Sequence, residues 1–569
     1  MKTETKNCQN CQKEFVIESD DFGFYEKMKV PSPTFCPECR FQRRLLFRNN
    51  RVLYKRECVL CHEPVLTIYH KSRPYTIYCR DCWLSDKWNP IDYGKDYDFS
   101  KPFFDQFKVL MEAVPRVNLY RDNFILSDYC NYGLDFKECY LLFGGMNNER
   151  IYFGNQVVES RDSLDIAFSS KIEFSYEIFE SKSFNKVFFS SYSKDCVESY
   201  YLIDCRNCTK CFGCVGLVNK KYHIFNQPVT KETYKEFTKE NQGSYTKHLK
   251  NLERLQKLKL NVPHRYARIY KSVNSSGDDL SEARNTQISF TSGQTENSKY
   301  LFFCRRGTKN CYDTSFQGFN AELLYEVAHG FAGSNTAFSI RNLMNQNTYY
   351  SEECHNCANI FGCEGLRKKS YCILNKQYTK EEYEALVPKI IEHMKTTGEY
   401  GEFFPKELSP FAYNETIAQE YFPLTKKEAL AKNYTWQDEE KRNYKIDIET
   451  KNIPDNIKDI EDDIVGKVIA CNHGGACKHQ CTEAFKIIPE EFKFYKRMSL
   501  PLPRLCPNCR HYERIGQRNP LKLWDRVCMC DKNSHFHGQD KCEVAFKTSY
   551  APDRSEIVYC EKCYQQEIY

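Results

Sequence analysis

Between Cys139 and Asn226 the chain repeats one short pattern: an apolar or aromatic run closed by a small or turn-forming residue. The runs are Cys139–Gly144, Arg150–Asn155, Ser163–Ser169, Ser175–Ser181, Asn185–Ser190, Ser199–Cys205 and Lys221–Asn226, most of them ten to fourteen residues apart. Two such strands make a coil of about 22–24 residues, which predicts a β-solenoid whose coils cover one another's apolar faces. A β-sandwich of short hairpins is the alternative fold.

The block recurs. With a shift of 149, residues 205–234 align without gaps to 354–383, 16 of 30 positions being identical. Both copies run through Tyr222/Tyr371 and Asn226/Asn375 into Thr-Lys-Glu-x-Tyr, a helix start. The predicted organisation is a first solenoid block at 120–230, a Lys/Glu-rich helical connector at 231–285, a second block at 286–378 and a helical, aromatic segment at 379–436 with a capped helix from Thr425. The acidic, polar stretch 437–465 reads as a linker.

The ends carry different patterning. Four CxxC pairs, Cys8/Cys11, Cys36/Cys39, Cys58/Cys61 and Cys79/Cys82, occupy the first 85 residues. Two pairs close a tetrahedral four-thiolate zinc site, and sequential pairing gives two sites in a module at 1–95. Good helix formers follow Cys39, so that pair sits on a helix's first turn opposite an earlier knuckle, a treble-clef or zinc-ribbon layout. A shift of 470 aligns residues 22–56 with 492–526 without gaps, 15 of 35 being identical. A second double module therefore spans 466–569. It has surplus donors: Cys471, Cys477, Cys481, Cys506 and Cys509 for one site, and Cys528, Cys530, Cys542, Cys560 and Cys563 for the other. His473, His479, His535 and His537 are either ligands or, on the plainer reading, loop histidines. The fold class is mixed α+β and multi-domain, with zinc modules flanking two duplicated β-helix-like blocks. About four structural Zn2+ sites are expected.

Composition narrows the setting. The chain has 569 residues, 31 cysteines, 28% charged residues and a net charge of +6. No run of 18 apolar residues is present and the start, Met1-Lys-Thr-Glu-Thr-Lys, is polar. A cytoplasmic metal protein without a membrane segment is expected, since disulfide frameworks belong to short secreted chains. Cys205, Cys208, Cys211 and Cys214 leave three readings open: a ladder of buried thiols, an additional zinc site, or an iron–sulfur cluster. Ile360 replaces Cys211 in the second copy and favours the ladder.

Local charge raises a partner question. Residues 40–56 hold seven Arg or Lys and no acid, and 504–526 hold six against two acids. Basic helices beside zinc knuckles suit phosphate contact, which makes Arg40, Arg43, Arg44, Arg48, Arg510, Arg514 and Arg518 candidate contacts to nucleic acid or a ribonucleoprotein. The alternative is a protein-interaction scaffold that uses the aromatic-rich solenoid face, with zinc only as a staple. No HExxH, nucleophile elbow, P-loop or dinucleotide fingerprint occurs, so no catalytic residue is assigned.

The stretches Cys36–Asn49, Asp86–Pro90, Phe212–Leu217, Ser409–Thr416 and Asn519–Arg526 resemble a family of cysteine-rich, zinc-ribbon-containing proteins encoded in candidate-phyla bacterial genomes. The resemblance implies a bacterial cytosolic origin and zinc binding. It brings no activity with it.

Overall fold

A computed structural model describes residues 3–438 and 445–568. The chain is a mixture of helices and strands in which two large parallel sheets stand apart from several two-stranded hairpins. It divides into two units. One gathers Met1–Leu119, Ala267–Gln437 and Leu521–Leu523, the other Tyr120–Tyr266, Asp438–Pro520 and Trp524–Tyr569. The N-terminal cysteine module thus shares a unit with the later sheet, and the C-terminal module with the earlier one.

Successive parallel strands pair one apolar run apart, where two runs per coil are expected. In the earlier sheet Asn131 pairs with Phe143, Asn155 with Ala167, Ser170 with Lys182 and Val197 with Thr209, all in parallel. The register advances twelve residues per rung, about half the expected coil. The cause lies in the backbone. Asp162, Asp165, Phe168, Lys171, Phe174, Glu177 and Glu180 all have positive φ, so the chain turns at every third residue. Each such turn costs a non-glycine residue on the order of 1 kcal/mol. The ladder bonds formed between rungs offset it, as where the Phe168 and Glu180 amides donate to the carbonyls of Asn155 and Ala167.

One residue in three therefore faces inward. Ser163, Ile166, Ser169, Ile172, Ser175, Ile178 and Ser181 form such a series and all are buried. Alternate members are serines because the turn aims an amide inward with no carbonyl to meet it. Ser163 Oγ accepts from Ser175 N, and Ser175 Oγ accepts from Val187 N, while each hydroxyl donates to the carbonyl two residues before it. Buried polar groups are thereby paired, as they must be.

Two boundaries differ from expectation. Helices Lys231–Asn241 and Tyr245–Asn261 fill the predicted connector only to Asn261, and strands at Ile269–Tyr270 and Gly277–Ser281 already belong to the second sheet. The predicted linker at 437–465 includes residues 439–444, outside those described. The rest of it is not a linker: Ile453, Ile457, Ile460 and Ile464 are buried against Phe492, Tyr495 and the ladder residues Leu164, Tyr176 and Phe188. Isoleucines at intervals of three or four within acidic sequence give one apolar side that the mean polarity conceals. The helix starts are as expected: Thr230, Thr379 and Thr425 cap their helices through their hydroxyls.

Candidate metal centres

Each centre joins a hairpin tip to a helix start. Strands Glu4–Asn7 and Glu14–Ile17 pair antiparallel and carry Cys8 and Cys11 at their turn. Helix Pro37–Leu45 begins at Cys36, with Pro37 in its first turn. The same construction places Cys58 and Cys61 between Tyr54–Glu57 and Pro64–Thr67, opposite Cys79 at the cap of helix Arg80–Leu84. The thiols of Cys8, Cys11, Cys36 and Cys39 lie within 4.8 Å of one another, as do those of Cys58, Cys61, Cys79 and Cys82. These are the two sets that sequential pairing predicts.

The spacing tests the fit of a metal. A tetrahedral zinc with bonds near 2.3 Å sets its sulfurs about 3.8 Å apart. Cys11 and Cys36 stand 3.8 Å apart, Cys61 and Cys79 3.9 Å, and Cys542 and Cys560 3.8 Å. A disulfide needs about 2.05 Å. The helix N-terminus favours thiolates at these positions. Hydrogen bonds from Cys39, first from its thiol and then from its amide, bring Cys36 down to about 5 against the opposing pull of burial.

One further bond recurs at all four four-thiol sites. The amide of the first helix cysteine donates to the first knuckle sulfur: Cys36 to Cys8 at 3.2 Å, Cys79 to Cys58 at 3.1 Å, Cys506 to Cys471 at 3.2 Å and Cys560 to Cys528 at 3.1 Å. In the C-terminal module this geometry selects among the surplus thiols. Cys471, Cys481, Cys506 and Cys509 form one four-thiol set and Cys528, Cys542, Cys560 and Cys563 the other. Cys477 and Cys530 stand beside these sets rather than within them. Cys477 groups with His473, His479 and Cys509. Cys530 lies 3.1 Å from His535 Nδ1 and 3.4 Å from His537 Nε2.

The arginines proposed for phosphate contact are not on the surface. Arg40 reaches Asp313 at 2.8 Å, Arg44 reaches Asp313 at 3.2 Å and Glu326 at 3.0 Å, and Arg43 bridges Glu326 and Glu402 at 3.0 Å each. Arg48 packs on Phe316 and meets His329. In the other unit Arg510 reaches Asp165 at 3.0 Å and Glu491 at 3.1 Å, Arg514 reaches Asp165 at 2.7 Å and Glu177 at 2.8 Å, and Arg518 reaches Glu180 at 2.5 Å. No side chain of these seven is more than 10% exposed. A stripe at i, i+4 and i+8 that looks solvated in sequence faces a column of acids on the ladder. A desolvated guanidinium needs such partners.

Those acids are not visible in the sequence around the arginines. Asp165 and Glu177 are twelve residues apart, one rung of the ladder, and Asp313 and Glu326 thirteen, on a sheet whose register slips by one residue after Gly293. The rung length is the signal that finds them. The aromatic face is covered as well: Tyr201, Phe212 and Phe225 pack with Tyr234, Phe237, Leu252 and Leu255 of the two following helices.

Cys205, Cys208, Cys211 and Cys214 line the interior of the first ladder, each fully buried. Their thiols donate to the carbonyls of Ile203, Arg206, Thr209 and Phe212, each two residues earlier, as the interior serines do. Cys354, Cys357 and Cys363 repeat this in the second ladder, where Ile360 is buried among them.

Among the described residues, no helix is long and apolar enough to cross a membrane. No family model matches the chain, and no curated protein matches it. Among solved structures, the chain is similar to a "putative acetyltransferase from Desulfovibrio desulfuricans G20" at 9% identity, over 47% of this chain and 69% of that one, with a TM-score of 0.11. A score that low carries no argument about fold or activity.

Proposed function

We propose that this chain is a zinc-stapled, non-catalytic protein-interaction scaffold, built from two copies of a β-solenoid and two copies of a double zinc module. The observation that carries this reading is the four-thiol geometry itself. All-cysteine tetrahedral sites leave no open coordination place, which a catalytic zinc requires. Zinc closes each hairpin onto a helix, and two of these helices, Pro37–Leu45 and Pro507–Ile515, press their arginines onto the acids of a ladder. The metal therefore sets the position of the ladder rather than a reaction. A bacterial cytosolic setting, with reduced thiols, suits the same sites.

The buried arginines favour the scaffold over nucleic-acid contact, since the groups proposed to meet phosphate already have carboxylate partners. The covered aromatic face moves the proposed contact surface to the outward polar rows. Asn335, Asn347 and Asn359 stack one above another through side-chain hydrogen bonds of 2.8 and 2.9 Å, Asn347 exposed and the other two half-buried. Such regular rows suit a protein partner that reads polar spacing.

The test uses the full chain. Metal analysis is expected to find zinc, without iron or visible colour, and no salt-dependent affinity for DNA or RNA at low ionic strength. Cross-linking in the native cell is expected to recover a discrete protein that is lost when Asn335, Asn347 and Asn359 are changed to Glu. Iron, or salt-dependent nucleic-acid binding, overturns the reading.

A further inference from the structure

We infer that each of the two C-terminal centres is binuclear: five thiolates and two imidazoles hold two zinc ions, with Cys509 bridging one pair and Cys563 the other. This rests on the zinc reading above and extends it from mononuclear sites to pairs.

The ligand inventory comes first. The N-terminal knuckles are plain CxxC turns, and each N-terminal site has four thiols and no histidine. In the C-terminal module both knuckles are expanded. Cys8-x2-Cys11 becomes Cys471-x-His473-x3-Cys477-x-His479-x-Cys481, and Cys58-x2-Cys61 becomes Cys528-x-Cys530-x4-His535-x-His537-x4-Cys542. The two expansions differ in length and spacing, yet each adds one cysteine and two histidines. Two tetrahedral ions need eight coordination places. Seven donors supply eight places when one thiolate is shared.

The geometry names the shared atom. Cys509 stands 3.9 Å from Cys471 in the four-thiol set and 3.6 Å from Cys477 in the neighbouring set. His473, Cys477, His479 and Cys509 bring their ligand atoms within 4.8 Å of one another. At the other centre Cys563 belongs to the four-thiol set and is buried in one cluster with Cys530, which in turn touches both histidines. Sulfur and nitrogen on one tetrahedral zinc are about 3.6 Å apart, near the 3.4 Å from Cys530 to His537 Nε2. Cys509 and Cys563 hold the same place, the second cysteine of a helix-start CxxC.

The imidazoles are set up as ligands. Nδ1 of His473 and Nδ1 of His479 are buried without a hydrogen-bond partner. A ligating histidine usually gives its other ring N–H to a carboxylate or carbonyl. Nε2 of His473 faces Glu513 at 3.5 Å, and Nε2 of His535 faces Glu567 at 3.7 Å. Glu513 and Glu567 each lie four residues after the bridging cysteine, on the same helix face. His537 turns Nε2 to Cys530 and Nδ1 to the Asp540 carbonyl at 2.6 Å. Charge agrees too: a second dication beside five thiolates leaves one net negative charge, against two for a single zinc with four.

Native mass spectrometry of the full chain purified with zinc tests this. Six zinc ions are expected, one for each N-terminal site and two for each C-terminal centre. His473→Ala with His479→Ala is expected to remove one ion, and His535→Ala with His537→Ala another, leaving four. X-ray absorption at the zinc edge is expected to show zinc–zinc scattering in the unaltered protein, so the inference stays testable should a variant fail to fold. Four zinc ions in the unaltered chain without zinc–zinc scattering overturn the binuclear centres and leave the zinc reading standing. Iron, or no metal, overturns both.

Discussion

Arg514 and Asp165 meet at 2.7 Å with neither side chain more than 2% exposed. The contact is an ion pair without aligned hydrogen bonds, and Arg510 shares the same carboxylate at 3.0 Å. Arg40 and Arg44 share Asp313 within the other unit, where Arg44 also donates a hydrogen bond to it at 3.2 Å. In each unit one buried carboxylate sits between two arginines of a helix that starts at a four-thiol set. The helix cannot leave the ladder without exposing buried charge.

Removing that carboxylate leaves two buried guanidinium groups with one carboxylate each, Arg510 with Glu491 and Arg514 with Glu177. Asp165→Asn is expected to cost about 3–5 kcal/mol, the range for breaking a buried pair from one side. Denaturant unfolding followed by circular dichroism measures it. A loss below about 1 kcal/mol would show that the pair is solvated and weak.

The interior serines give a second expectation. Ser175→Ala removes the acceptor of the Val187 amide and the donor to the Glu173 carbonyl. A buried amide left unpaired costs about 1–3 kcal/mol. Ser175→Cys should cost less, because Cys130 already accepts the Leu142 amide at 3.4 Å in an equivalent place. Thermal melts of the two variants, ranked Ser, then Cys, then Ala, check it. Equal losses would mean that side-chain volume, not the hydrogen bond, governs the site.

How much of this the sequence showed depends on the range of each interaction. The N-terminal four-thiol sets are legible because both halves of each set lie within a few dozen residues and CxxC spacing is a geometric requirement. The choice of Cys471 over Cys477 is not, since only the hairpin opposite Cys506 decides it. The pitch of the ladder escaped because its inward residues mix Ser, Cys, Ile and Phe, such as Ser163, Cys196, Ile166 and Phe184. No hydrophobic alternation survives that mixture, although the inward position recurs every third residue. The fate of Arg40 was hidden for a simpler reason: Asp313 is hundreds of residues away, and a window around the helix shows charge without its partner.

Two glycines separate backbone strain from crowding. Gly145 has φ of 132°, and a Cβ there would stand 1.8 Å from the Val157 carbonyl oxygen of the next rung. Gly216 has φ of 70° with nothing within 4 Å of that position. Gly216→Ala should cost on the order of 1 kcal/mol, the left-handed penalty alone. Gly145→Ala should cost clearly more, because it also forces two rungs apart. Melting temperatures of the pair measure the difference, and equal shifts would contradict the close approach.

Cys211 offers a test that separates a structural thiol from a metal ligand. Its counterpart Ile360 is fully buried in the second ladder, so the interior accepts a branched apolar side chain at that place. Cys211 itself donates to the backbone carbonyls of Thr209 and Lys220 at 3.7 Å each, and its amide already bonds Ser199. Cys211→Ile therefore removes two weak S–H bonds and adds volume, for a net cost of about 1–3 kcal/mol from overpacking. The metal content of the full chain should not change, by mass spectrometry or by colour. Loss of an ion on this single change would make the four clustered thiols of the first ladder a metal site, and the agreement with the second ladder a coincidence of packing.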